Sequence, residues 1–359
     1  MKNKRLYALS LVAVLLFGLL VGCGGQSALS PKAAEPAKSR EITDMVGRSM
    51  TVPTQIDKVF AGNSEAAVYL YTIEPDRLLG WTYPLNDLEK RFILPQYQTL
   101  TAFGMQDNVN YEAVIAAGPQ IALMVGNDSK GVIATADKLS DSLNIPVVII
   151  SDKLEDCASV YRFLGDLLGI AQRAEELATY TDQTFADIEA VDIPPEERIT
   201  VYYGNGVDSL ETAPRGSVSA QVIDMVKAVN VAATEGESGG RVKVSLEQVL
   251  AWNPDVIIVN GEPKQDMTGN HAAQAILESP DYAHIQAVQS KKVFGVPKAP
   301  FSWIDRPPGP NRILGMRWLA AELYPDYFDY QLEEDVRSFY KLFYHTDLTD
   351  EQLAGLFRD

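Results

Sequence analysis

Arg215, Arg241 and Arg306 are the side chains best suited to chemistry in an otherwise acidic sequence. They stand in Arg215-Gly216-Ser217, Gly239-Gly240-Arg241 and Asp305-Arg306-Pro307, stretches that read as loops. A guanidinium is always charged and offers five donors in a fork that suits carboxylates, catecholates, phosphates and oxyanions. For any one of them alone, an exposed surface arginine is an equally good account. Asn63, Trp81, Tyr83, Asn127, Tyr203 and Trp303 stand on comparable loops or at their edges and could add amide donors and aromatic walls. Core packing is the competing account of the aromatic ones.

Catalytic constellations are wanting. His271, His284 and His345 are scattered, and no Gly-x-Ser-x-Gly elbow occurs. Gly204-Asn205-Gly206 follows an apolar run as a dinucleotide-binding turn would, but Ser209 occupies the place of the third glycine. Cys23 and Cys157 are the only cysteines, which excludes a disulfide scaffold or a cysteine metal cluster. Cys157 shares an apolar period with Val160, Leu164 and Leu167 and reads as a small buried hydrophobe. A solute-binding module without cofactor or resident metal is therefore favoured over a surface-anchored α/β enzyme.

The loops need elements to hold them. Short apolar runs recur at Lys58–Gly62, Arg77–Thr82, Gln120–Gly126, Pro146–Ser151, Arg198–Gly204, Asp255–Gly261 and Lys292–Pro297, with helical patterns between many of them. This is the signature of parallel sheets covered by helices, whose ligands sit beyond the carboxyl ends of the strands. One unit repeats: Tyr111 to Pro119 before the run at Gln120, and Leu246 to Pro254 before the run at Asp255, at a constant offset of 135 residues. Glu112/Glu247, Val114/Val249, Ala116/Ala251, Pro119/Pro254 and Gly126/Gly261 are identical, which implies two similar α/β lobes. Between them, Ile170 to Val191 carries one helical period, stopped by Pro194-Pro195, so a single rigid helix of roughly 30 Å connects the lobes. Asn110 and Ser245 read as N-caps, which leaves each glutamate in a first turn favoured by the helix dipole.

The formal charge of −17 repels phosphate backbones and argues against nucleic-acid binding. Lys2, Lys4 and Arg5 precede an uncharged stretch from Leu6 to Val21, too short and wrongly flanked for a spanning helix, which closes on Leu20-Val21-Gly22-Cys23. This resembles a lipobox, in which Cys23 is diacylated and becomes the new N-terminus; Gly24 to Arg40 then form a flexible tether. The expected organisation is a signal peptide over 1–22, a lipidated cysteine and tether over 23–41, an N-terminal lobe over 42–169, a connecting helix over 170–192 and a C-terminal lobe over 193–359. The expected location is outside the cytoplasm, on the cell membrane.

Ile42-Thr43-Asp44-Met45-Val46-Gly47-Arg48, the Glu112 unit, Val244-Ser245-Leu246-Glu247-Gln248 and the single connecting helix resemble the solute-binding proteins of iron-complex and cobalamin ABC importers, from about Glu41 to Pro325. The resemblance implies two α/β lobes joined by one backbone helix, with the ligand in a cleft between them. It implies an anionic metal complex as solute, a ferric siderophore or haem-like chelate first, and an importer with two permease subunits and an ATPase as partner. It places Arg241 among cleft-lining residues and pairs Glu112 and Glu247 with permease arginines. The tail from Trp303 to Arg312, with the helix Ile313–Leu323 and Tyr324-Pro325, is similar to a branch in which some members bind molybdate or tungstate, so oxyanions and cobalamin stay open.

Overall fold

Asp44 fixes the entry into the fold. In this computed structural model, which describes residues 38–233, 241–261 and 268–357, strand β1 (Ser39–Thr43) turns at Gly47 (φ +86°) and pairs antiparallel with β2 (Ser49–Pro53). The buried Asp44 carboxylate accepts from the Val46 and Arg48 amides, from Arg48 Nε at 3.0 Å and from the Ile149 amide at 3.2 Å, which staples the hairpin to the first sheet. The leader, Cys23, residues 24–37 of the expected tether and the pair Gly239-Gly240 lie outside the described residues; the last part of that tether, from Ser39 to Glu41, is instead strand, because it pairs with Thr51–Pro53 of β2.

Three of the apolar runs become the parallel strands β3 (Val59–Ala61), β4 (Ile121–Gly126) and β5 (Val147–Ser151), adjacent in that order. Nearly every residue in them is buried, as a sheet covered on both faces requires. Arg77–Thr82 does not become a strand of this sheet. It begins in a 3-10 turn opened by Pro75 and reaches β3 only through the bridge Leu78–Val59. Helices α1 (Ser64–Ile73), α2 (Asp87–Lys90), α3 (Tyr111–Ala117), α4 (Lys130–Leu143) and α5 (Cys157–Leu168) complete this half.

Gly169, left-handed at φ +70°, ends α5 and starts the expected connecting helix, α6 (Ala171–Glu189). The two helices approach so closely that a Cβ on Gly165 would stand 2.4 Å from that of Ala174, which is why glycine is needed there.

The second half builds a four-stranded parallel sheet in the order β11-β10-β6-β8, from β6 (Thr200–Gly204), β8 (Val229–Asn230), β10 (Val256–Val259) and β11 (Val293–Gly295), with a ribbon of β7 (Glu211–Thr212) and β9 (Val242–Lys243). Helices α7 (Gln221–Met225), α8 (Leu246–Trp252), α9 (Gly269–Glu278) and α10 (Gln286–Gln289) accompany it. Three more follow: α11 (Asn311–Leu323), α12 (Leu332–Tyr344) and α13 (Asp350–Leu356), the last begun by the capping box Thr349/Gln352.

The halves share one core. Val59 and Leu123 of the first sheet, Val201 and Ile258 of the second, and Leu314 and Leu319 of α11 belong to a single apolar cluster. Helix α11 is buried on nearly all sides, with Gly315 backed against the Trp303 carbonyl. Helix α12 packs against α1 as well as α11, and Arg173 Nη2 donates to the Thr72 and Leu342 carbonyls, tying the end of the chain to the first half.

Candidate functional site

At the carboxyl edge of the second sheet, β6 and β10 deliver Tyr203, Asn205 and Asn260 to one place, and the loop after β11 brings Ser302 and Asp305 to meet them. Asp305, 3% exposed, accepts from Tyr203 Oη at 2.5 Å, Asn260 Nδ2 at 3.2 Å and Arg241 Nη2 at 2.7 Å. Ser302 Oγ donates to Asn260 Oδ1, and Lys298 Nζ to the Asn260 carbonyl. Burial, and then the Asp305 charge, push the Tyr203 phenol far above its ordinary pKa, so it stays a proton donor.

This cluster is not self-sufficient. The Asn205 amide is fully buried beside the Tyr203 phenol, its nearest polar neighbour, yet neither its Oδ1 nor its Nδ2 makes a well-formed hydrogen bond; Arg241 Nε and Thr212 Oγ1 are likewise buried without a partner. A buried polar group left unmatched costs about 1–3 kcal/mol.

The carboxyl edge of the first sheet carries a second polar set. Asn63 caps α1 through the Ala66 amide and grips β4, accepting from Val125 N at 3.1 Å and donating to Val125 O at 2.8 Å. Ser64 Oγ lies 2.7 Å from Thr82 Oγ1, and Tyr83 Oη donates to Glu89 Oε1 at 3.0 Å. Asn127 Nδ2 donates to Asp152 Oδ2 at 2.8 Å. Burial pushes the Glu65 carboxyl up, opposed by its own amide and by Arg312 and reinforced by Asp152.

Arg312, which sequence reasoning did not single out, joins the two edges. It is 1% exposed, and its Nη1 donates to Gln221 Oε1 (2.6 Å), Nη2 to the Asp152 carbonyl (3.2 Å) and Nε to the Gly309 carbonyl (3.2 Å). Gln221 Oε1 also accepts from the Leu154 amide at 2.9 Å, so one side-chain oxygen of α7 serves the loop after β5 and the start of α11 together. The available sequence signal was a cation in the first turn of an apolar helix, where the dipole disfavours it.

The other expected residues divide. Tyr203 and Arg241 enter the Asp305 network, and Arg306 is half-buried at its margin, its carbonyl accepting from Ser302 N at 3.1 Å. Trp81 and Trp303 are core: the first donates to the Tyr97 carbonyl between Tyr71 and Phe301, the second is fully buried against Trp318 and Phe357. Arg215 is exposed and donates to the Asn230 carbonyl rather than to Asp305. Glu112 and Glu247 are both exposed in the first turns of seven-residue helices, capped by Asn110 and Ser245 and ended by left-handed Gly118 and Asn253. Among the described residues no His, Cys, Asp or Glu cluster could hold a metal ion, and no helix is long and apolar enough to cross a membrane.

A family described as periplasmic binding protein matches residues 81–300. The chain is 27% identical to the molybdate-binding protein MolA of Haemophilus influenzae, over 94% of this chain and 99% of that protein. It is 25% identical to the ferric enterobactin-binding periplasmic protein FepB of Escherichia coli, over 81% and 92% respectively. Among solved structures, an ABC transporter solute-binding protein from Sulfurospirillum deleyianum superposes with a TM-score of 0.78 at 28% identity, covering 89% of this chain and 99% of that one.

Proposed function

The chain belongs to the periplasmic binding protein family, and from that premise we propose that it captures a small tetrahedral metal oxyanion of the molybdate and tungstate class between its sheets and hands it to an ABC importer. The observation that carries the choice is the pair of buried N–H donors without a well-formed protein acceptor, Asn205 Nδ2 and Arg241 Nε. A fully ionised oxyanion accepts from every direction and donates nothing, so it suits converging N–H donors. Arg241, Lys298, Arg306 and Arg312 gather cations along this edge of an acidic chain, which supports an anionic solute. A large ferric chelate, the first expectation from sequence, would use aromatic walls, and Trp81 and Trp303 are engaged in the core. The similarity to MolA favours the oxyanion and that to FepB favours the chelate.

A thermal-shift and calorimetry panel decides between them. Molybdate and tungstate should raise Tm, by the equivalent of roughly 2.7 kcal/mol at a hundredfold excess over Kd. A shift with ferric catecholates, haem or cobalamin, and none with oxyanions, would overturn the assignment, and protein purified from its own cells would then carry visible absorption. The rest of the proposal is that residues 42–169 and 193–359 act as lobes about the helix 170–192, that Cys23 bears a lipid anchor, and that Glu112 and Glu247 dock on the permease.

A further inference from the structure

Four large apolar side chains among the described residues are more than a third exposed: Met105 (38%), Ile115 (57%), Val207 (47%) and Tyr327 (36%). Met105 and Ile115 belong to the first half and Val207 to the second. Helix α3 leads back into the start of β4, so its N-terminus, with Glu112, lies at the carboxyl edge of the first sheet, and by the same topology Glu247 lies at that edge of the second. Met105 occupies the turn before α3, closed by Asn110 N donating to the Phe103 carbonyl at 2.8 Å, and Ser64 Oγ reaches its Sδ at 3.5 Å. Val207 occupies the turn after β6, closed by the mutual bonds of Asn205 and Glu211, and Val244 N donates to the Leu210 carbonyl at 2.9 Å, joining that turn to the cap of α8. Each exposed glutamate therefore has beside it a tight turn with an exposed apolar side chain near its tip. Ile115, one turn along α3, extends the first pair on the same helix face.

We propose that each half presents an acid–apolar docking pair, Glu112 with Met105 and Glu247 with Val207, and that the occupant is the extracytoplasmic face of the two permease subunits, offering twice a cation beside an apolar hollow. This rests on the docking reading of the two glutamates. The twofold occurrence matches a partner built of two subunits. A lipid headgroup surface fits worse, because anionic lipid would repel two exposed carboxylates. A second copy of this chain fits worse too, since an isologous contact would bring like charges together. Charge would steer and register the encounter, while the apolar tips, dehydrated on contact, would slow dissociation.

The test uses the full chain with its cognate importer reconstituted in lipid nanodiscs, measuring complex Kd across 50–500 mM salt, stimulated ATPase activity and molybdate affinity. Met105→Ser/Val207→Ser should weaken docking about tenfold with the salt dependence retained and molybdate affinity unchanged. Glu112→Gln/Glu247→Gln should weaken docking and flatten the salt dependence. If the glutamate variant fails to dock while the apolar variant docks like the parent, the apolar half is refuted and glutamate docking stands. If neither variant affects docking, both fall, and neither result touches the oxyanion reading, which the molybdate affinity reports separately.

Discussion

Arg241 has two tasks that mutation can separate. Its Nη2 compensates the buried Asp305 carboxylate, while its buried Nε faces no protein acceptor. Arg241→Ala should lower oxyanion affinity at least tenfold, about 1.4 kcal/mol, and should also lower Tm, because it strips a buried carboxylate of its cation. Adding Asp305→Asn should restore much of the Tm but not the affinity; recovery of both would make Arg241 structural only. Glu65 gives a pH signature. Its raised carboxyl pKa means that the folded state holds the proton longer than the unfolded chain. The associated stability is complete below the unfolded value of about 4.3 and is lost as pH rises through the folded one. Glu65→Gln should therefore match the parent at acid pH and exceed it in Tm increasingly towards neutrality; a constant offset would count against it. The groups facing this carboxyl are Arg312, Asp152 and Tyr83. At this scale the sequence was only partly legible. Arg241 shows itself as a cation after two glycines, whereas Trp81 and Trp303 look like loop aromatics until the helices that bury them are in place.

Helices α3 and α8 carry the repeat into space. Both have seven residues, an N-cap whose side chain accepts from the amide three residues on, an exposed glutamate at the second position and a left-handed C-cap, and β4 and β10 begin at equivalent places. The backbone amide of Glu247, and after it the Ser245 hydroxyl, hold that carboxylate below its ordinary range, so it stays charged. Changing both glutamates to Ala should leave oxyanion Kd and Tm nearly unchanged while uptake through the importer falls severely; lost solute affinity or normal uptake would refute the docking role. Element type was the most readable level, because strand burial and helical periodicity are local properties. The exception, Arg77–Thr82, has a strand-like composition but makes only single bridges, Leu78 to Val59 and Trp81 to Ala102, which only the tertiary arrangement decides.

For the whole molecule, a lipid anchor would keep an acidic binding protein close to its importer. Cys23→Ser should release the protein from the membrane fraction after signal cleavage, with oxyanion affinity intact; a variant that stays bound would disprove anchoring. The two sheets were legible in sequence as separate lobes, but their common core was not, because α11 and α12 are assigned by chain order to the second half while α12 packs on α1 of the first. That return has a consequence in time. Helix α1 is among the earliest elements to be synthesised, yet part of its apolar face is covered only by residues 332–344, near the end of the chain. The first half therefore cannot finish packing without the end of the chain. A chain that ends before α12 leaves that face of α1 uncovered and should be more open to aggregation and proteolysis than the full one.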